Sequence, residues 1–292
     1  MPQQDKYRPR QVPIEFVFRE EMKALPYEDR MTLIFISLGK VNFIFNEKSY
    51  SVEAPYILCL SPYDTFELID GDFSAKSFSF YPGFVNGALT FETLAENNFS
   101  ILDEEHDRNM MNLFLYHTDT HTGIFEIPAN MYFRFSEWLN IIGTETYAQS
   151  DGNWTCRIRR YLLQILYLLD DLRNELTQGS GEAFTKSIVD VALEYIHTNY
   201  QTTITLDDLC RILRTNRTTL NNQFKARVGF TALQYLSDYR IRIAKETLTH
   251  TNLTLAEIAD ACGYKYDTYF IKQFTKSVGI SPTEYRQRNW FK

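Results

Sequence analysis

Between Ile14 and Tyr81 the apolar positions come in short bursts. Met31–Leu38 is almost continuously apolar and stops at Gly39, and Val41–Phe45 alternates with polar positions. Asn46-Glu47-Lys48 supplies a turn before Tyr50–Val52 resumes the pattern. Tyr56–Leu60 follows Pro55 and stops at Ser61-Pro62, and Ser77–Tyr81 places Phe78 and Phe80 on one side. Period-two alternation marks half-buried strands, and closely spaced short strands punctuated by Gly, Pro and Asn predict a β-sandwich or barrel. From Glu126 the period lengthens. Met131, Phe135, Trp138, Leu139 and Ile142 fall at helical spacing, predicting a helix to Ala148. Ser150-Asp151-Gly152-Asn153 breaks it and leaves Asn153 to cap a second helix, Trp154–Leu176. That helix carries Ile158, Leu162, Ile165, Leu166, Leu169 and Leu172, a wider apolar surface than one packing stripe needs. Either it lies buried against its own domain, or part of its face pairs with a second subunit.

Near the C-terminus one pattern occurs twice. Leu209–Phe224 closes with Gly229, and Ile258–Phe274 closes with Gly279. Phe224 and Phe274 are 50 residues apart, as are Leu220 and Phe270, Thr218 and Thr268, and the two glycines. Each copy sets a small residue, Cys210 or Ala259, ahead of a turn, as two closely packed helices require. Each then runs as a helix with apolar residues at i and i+4. This is a helix-turn-helix pattern, whose second helix enters the DNA major groove. Leu233–Leu248 reads as one long helix joining the copies, a spacer that sets two reading heads one DNA turn, about 34 Å, apart.

These residues resemble the AraC/XylS family of bacterial transcription regulators over roughly the last hundred positions. The match runs through Leu206-Asp207-Asp208-Leu209-Cys210, Leu220, Phe224-Lys225 and Gly229, then Tyr235-Leu236, Arg240 and Ala244. It continues with Glu257-Ile258-Ala259, Cys262-Gly263-Tyr264, Tyr269-Phe270, Phe274-Thr275-Lys276, Gly279, Ser281-Pro282 and Tyr285-Arg286. Arg214 departs from it, standing in the first turn where a glycine is common. The order of strands in the N-terminal part more weakly resembles the cupin-type effector domain of the same family. The resemblance implies a non-enzymatic, cytoplasmic regulator that binds double-stranded DNA, acts as a homodimer through a helix such as Trp154–Leu176, answers to a small-molecule effector and engages RNA polymerase. It also implies that Arg240 braces the two motifs.

Helical phase selects the residues that face DNA. With Leu220 and Phe224 turned inward, Thr218, Asn221, Asn222 and Lys225 point toward the groove and Arg217 stands at the helix start. The matching face of the second helix holds Asp267, Thr268, Ile271, Lys272 and Lys276. Asn pairs bidentately with adenine, Lys and Arg reach guanine or phosphate, Ile271 suits a thymine methyl, and Asp267 either accepts from cytosine or caps its helix.

Composition refines this. The chain has 292 residues and a net charge of −7. Residues 1–183 hold 15 basic and 27 acidic side chains (net −12), whereas residues 184–292 hold 15 and 10 (net +5). A basic reader joined to an acidic regulatory module has this asymmetry. The fold expected is α+β. Residues 1–125 form a cupin-like β-rich effector domain and 126–177 a helical segment. Residues 178–183, with Gly and Ser, form a linker, and 184–292 an all-α domain with two helix-turn-helix motifs. Cys59, Cys156, Cys210 and Cys262 are scattered, which fits a reducing compartment and no disulfide framework. The polar N-terminus lacks the apolar core of a signal peptide, and no run is long enough to span a membrane.

A metal-dependent cupin enzyme with a helical appendage is the alternative from another class. None of His106, His117, His121, His197 and His250 lies in the strand-rich segment. His117-x-x-x-His121 has ligand spacing but no third ligand near in sequence, and no nucleophile elbow or phosphate loop is present. The residues therefore point to no metal, no cofactor and no catalytic site. A DNA-binding regulator whose N-terminal domain senses nothing is the other alternative. No effector-binding residue is identifiable.

Overall fold

The structure is a computed structural model that describes residues 2–7, 9–96, 102–118, 121–177, 187–250 and 253–289. The chain divides into two compact units. One comprises residues 1–4, 11–150 and 157–184, the other residues 185–292 with the short stretches 5–10 and 151–156. The fold is α+β: a β-rich region, then helices, then helices alone beyond residue 187 among the described residues. The expected linker 178–183 lies outside the described residues.

The first unit opens with a two-stranded ribbon of β1 (Gln3–Gln4) and β2 (Gln11–Val12). Six further strands form one antiparallel sheet: β3 (Ile14–Val17), β4 (Met31–Phe45), β5 (Lys48–Glu53), β6 (Tyr56–Leu60), β7 (Phe66–Phe80) and β8 (Ile124–Glu126). Their order is β3-β7-β4-β6-β8, with β5 also on β4. The two runs expected at Met31–Leu38 and Val41–Phe45 are one strand of 15 residues. Gly39 does not stop it. The register on β7 shifts between Ile36 and Leu38, so one extra residue enters β4 and the inward set changes from Ile34 and Ile36 to Val41, Phe43 and Phe45. Gly39 sits beside this bulge at φ +86°, and a β-carbon there would lie 1.9 Å from the Asp72 carbonyl oxygen. Only glycine fits. β7 extends 11 residues upstream of the expected Ser77 start by the reciprocal device, a second register shift between Asn42 and Phe43.

One face of the sheet closes on Ile34, Ile36, Val41, Phe43, Phe45, Leu58 and Leu60. Phe16, Phe78 and Phe80 form another buried group, with Phe114 edge-on to Phe80 at 5.6 Å. Phe114 belongs to α2 (Leu102–Leu115), which with α1 (Phe91–Glu96) lies in a stretch expected to be β-rich. The helix expected from Glu126 begins six residues later, as α3 (Tyr132–Ala148), because β8 occupies Ile124–Glu126.

The second expected helix is α4 (Trp154–Thr177). Ile158, Leu162, Leu163, Ile165, Leu166, Tyr167, Leu169 and Leu172 are all buried within the single chain. No residue from 154 to 174 is fully exposed, but twelve of these 21, Tyr161 and Leu168 among them, are only half-buried. Among the described residues no helix is long and apolar enough to cross a membrane.

The second unit is α5 (Ile188–Asn199), α6 (Leu206–Ile212), α7 (Arg217–Val228), α8 (Ala232–His250), α9 (Leu255–Ala261), α10 (Asp267–Val278) and α11 (Pro282–Asn289). One core serves all seven helices, with Ile196, Leu209, Leu220, Phe224, Tyr235, Ala244, Ile258, Phe270 and Phe274 at its centre and Tyr285 of α11 packed against it.

Candidate nucleic-acid interface

Each helix pair is started by the same local chemistry. Thr205 and Asp208 form a reciprocal capping box on α6, and Thr254 and Glu257 form one on α9. The side chains and backbone N–H groups at these ends satisfy each other at 2.7–3.2 Å. The turns that follow also match. Arg214 and Gly263 are both left-handed, at φ +49° and +78°. Thr215 N–H donates to the Cys210 carbonyl, and Tyr264 N–H to the Ala259 carbonyl. To this point the copies are 49 residues apart. The second turn then holds one residue more, so α7 and α10 begin 50 residues apart. Both second helices end on left-handed glycines, Gly229 and Gly279, whose N–H groups cap the Lys225 and Thr275 carbonyls at 3.0 and 2.9 Å.

Burial fixes the rotation of α7 and α10. Leu220, Phe224, Phe270 and Phe274 are fully buried. Phe224 packs 5.6 Å from Tyr235, and Phe274 5.5 Å from Tyr285. Thr218, Asn222 and Lys225 are exposed on the opposite face of α7, as are Thr268, Lys272 and Lys276 on α10. Asn221 and its counterpart Ile271 lie on the flank. Both are half-buried, with Asn221 Oδ1 sealed from solvent without a partner and Ile271 packed on the core.

The helix starts differ. Arg217 is exposed and donates Nε–H to Asp207 Oδ1 at 2.8 Å and Nη2–H to Oδ2 at 2.6 Å. Asp267 instead accepts the Thr268 backbone N–H at 2.7 Å. Tyr266 and Tyr269, exposed at the start of α10 with Lys265 beside Tyr266, also stand on this surface. Residue pattern alone assigns such aromatics to a core; Tyr269 figured in the sequence only as part of the family match, and Tyr266 not at all.

Arg240 of α8 ties the two pairs together. It donates Nε–H to the Tyr200 carbonyl at 2.8 Å and Nη2–H to the Thr202 carbonyl at 2.7 Å, and its guanidinium lies 5.4 Å from the Tyr264 ring centre. Burial lowers its pKa, whereas burial pushes the Tyr264 phenol up to about 12. Gly263 completes the junction, because a β-carbon there would lie 2.4 Å from the Tyr200 carbonyl oxygen.

In the first unit, His117 and His121 do not share a helix. His117 Nδ1 lies 3.1 Å from Asp64 Oδ1 and 3.3 Å from Asn46 Nδ2. His121 is buried, and that burial, aided by Arg173 and His117, lowers its pKa to about 4. Among the described residues no three His, Cys, Asp or Glu side chains are placed to hold a metal ion. An open depression of about 510 Å³ lies along the outer face of α3, between Phe133, Glu137, Asn140, Ile141 and Thr144. Phe133 is 81% exposed there.

A family model described as "Helix-turn-helix domain" matches residues 209–288. A lactose operon transcription activator of Staphylococcus xylosus is 33% identical over 138 residues, 47% of this chain and 49% of that protein. An uncharacterized HTH-type transcriptional regulator of Bacillus subtilis, YtdP, is 33% identical over 118 residues, 40% of this chain and 15% of its own length. The chain thus spans about half or less of these curated relatives. Among solved structures, the C-terminal domain of AraT, a response regulator from Geobacillus stearothermophilus, is 30% identical, covering 37% of this chain and 89% of that one with a TM-score of 0.36.

Proposed function

We propose that the chain is a sequence-specific DNA-binding transcription regulator of the AraC/XylS type, controlled through its N-terminal region; the helix-turn-helix match over residues 209–288 supports this. The observation that carries this is the pair of recognition helices. Two helices with buried Leu/Phe or Phe/Phe pairs turn polar and cationic side chains outward, and one core holds both. Residues 184–292 are the reading domain, residues 1–125 the cupin-like module and residues 126–177 its helical extension. Arg217, Thr218, Asn222 and Lys225 form the main reading surface of α7, and Thr268, Lys272 and Lys276 that of α10. Asn221, Ile271 and Asp267 act at its edges.

In this reading the partners are double-stranded DNA, RNA polymerase and a second copy of the chain, and a small effector acts on the N-terminal module. The second copy is held by the helical extension, through the half-buried surface of α4 and the outer face of α3. Phe133 projects from it beside the open depression.

Selection of the full-length chain against a random duplex library tests the DNA assignment. The expected result is enrichment of two short elements about one helical turn apart. Affinity should fall steeply with salt, since phosphate neutralisation releases counterions. Failure of any sequence to enrich rejects it.

A further inference from the structure

Arg217 is the first residue of α7 and Asp207 lies in the first turn of α6, so their contact spans the turn of the first motif. The contact is two-pronged and uses one side of the guanidinium, Nε–H and one Nη2–H. A guanidinium has five N–H donors in a fixed plane. Holding its side leaves its end free: both Nη1 hydrogens and the outer Nη2 hydrogen. That end is a second parallel fork, matched to the O6 and N7 acceptors of guanine in the major groove. Hydrogen bonding from Arg217 holds the Asp207 carboxyl below the usual carboxylate range, so the pair is ionised at neutral pH. Both side chains are about two-thirds exposed, where an ion pair adds little to folding stability.

We propose that Asp207 is a positioning residue that fixes Arg217 to read one guanine in the element contacted by α7. This rests on the DNA-binding reading above. The pair's charge decides between a base and a phosphate. Asp207 cancels the positive charge of Arg217 and sets a carboxylate close to it, so a phosphate gains little there. A base edge is neutral and needs only aligned donors. Holding the long Arg side chain before binding also removes an ordering cost from the complex. The second motif has no such device. Ala256 stands where Asp207 does, and Asp267 stands where Arg217 does. The preference for guanine therefore belongs to one element only.

The test uses the full-length chain, its selected site and the variants Asp207→Asn and Arg217→Lys, with Arg217→Ala added for the salt slope alone. Arg217→Lys keeps the charge and removes the fork, so the test stands even if Asp207→Asn disturbs α6. Both variants should lose preference for guanine at one base pair, by roughly 5- to 150-fold for a lost bidentate contact. The melting temperature should be unchanged in both, and the salt dependence unchanged in Arg217→Lys, which a merely structural role of the pair does not predict. A uniform affinity loss on all sequences, with an Arg217→Ala salt slope shallower by about 0.9, places Arg217 on a phosphate and overturns the proposal. Unchanged base preference in both variants overturns it too, while leaving DNA binding intact. A wild-type chain that enriches no sequence removes the DNA reading itself, and the guanine assignment with it.

Discussion

The two helix-turn-helix copies share their insides and differ in their surfaces. Thr205 and Thr254 cap alike, Leu220/Phe224 and Phe270/Phe274 are buried alike, and Gly229 and Gly279 end the helices alike. Outside, α7 begins with the Asp207–Arg217 pair and carries Asn222 and Lys225. α10 begins with Asp267, offers Lys272 and Lys276, and is flanked by exposed tyrosines. Buried positions answer to packing, which is the same problem in both copies. Exposed positions answer to whatever lies in the groove, so two different faces are what reading two different elements requires. The turns differ as well: Arg214 accepts a conformation that favours glycine, while Gly263 cannot be replaced because Tyr200 and Arg240 press against it.

The strongest way to break the comparison is to open its shared interior. Phe224→Ala and Phe274→Ala should each cost about 3–5 kcal/mol, as measured by denaturant unfolding of the full-length chain. Since a single core serves both motifs, either change should weaken both. Loss confined to one motif would show that the copies fold independently. Asn222→Ala acts on the surface instead. It should relax preference at one or two base pairs by roughly 1–3 kcal/mol with the melting temperature nearly unchanged. If Asn222→Ala melts the domain while Phe224→Ala only changes base preference, the rotation of α7 is wrong.

The turns give opposite signs at one structural position. Gly263→Ala forces a β-carbon into a left-handed residue against a carbonyl, and should cost at least about 1–2 kcal/mol. Arg214→Gly relieves the same backbone penalty in the first copy. Its gain is smaller, up to about 1 kcal/mol, because glycine also adds freedom to the unfolded chain. A calorimetric melting temperature that moves the same way for both would mean the two turns are not equivalent.

The sequence made the C-terminal region legible because caps, turns and i, i+4 apolar pairs all agree there. Phase alone located the outward faces of α7 and α10, but not their edges. Asn221 and Ile271 sit about a quarter turn from the centre of the face, where a polar or apolar side chain is equally accommodated. The N-terminal sheet was harder to read. Gly39 looks like a stop in a linear pattern and proves to be the residue that lets β4 continue through a bulge. α2 gave little signal, since its buried Met110, Met111, Leu113 and Phe114 cluster in its last two turns behind a polar start. For α4, the breadth of the apolar surface matches its deep burial at Ile158, Leu162, Leu166 and Leu169.

The Arg240 junction has a mechanical corollary. Two reading heads on a flexible tether adjust to the spacing of their sites by moving the tether, at small entropic expense. Here Arg240, Tyr200 and Gly263 lock the heads to one another, so the compliance has to come from the DNA. Sites whose natural spacing or direction differs from that of the clamp must be bent to fit, and bending energy depends on base steps the protein never touches. Flexible pyrimidine–purine steps between the two elements would then contribute to recognition as surely as any side chain, and stiff A-tracts would oppose it.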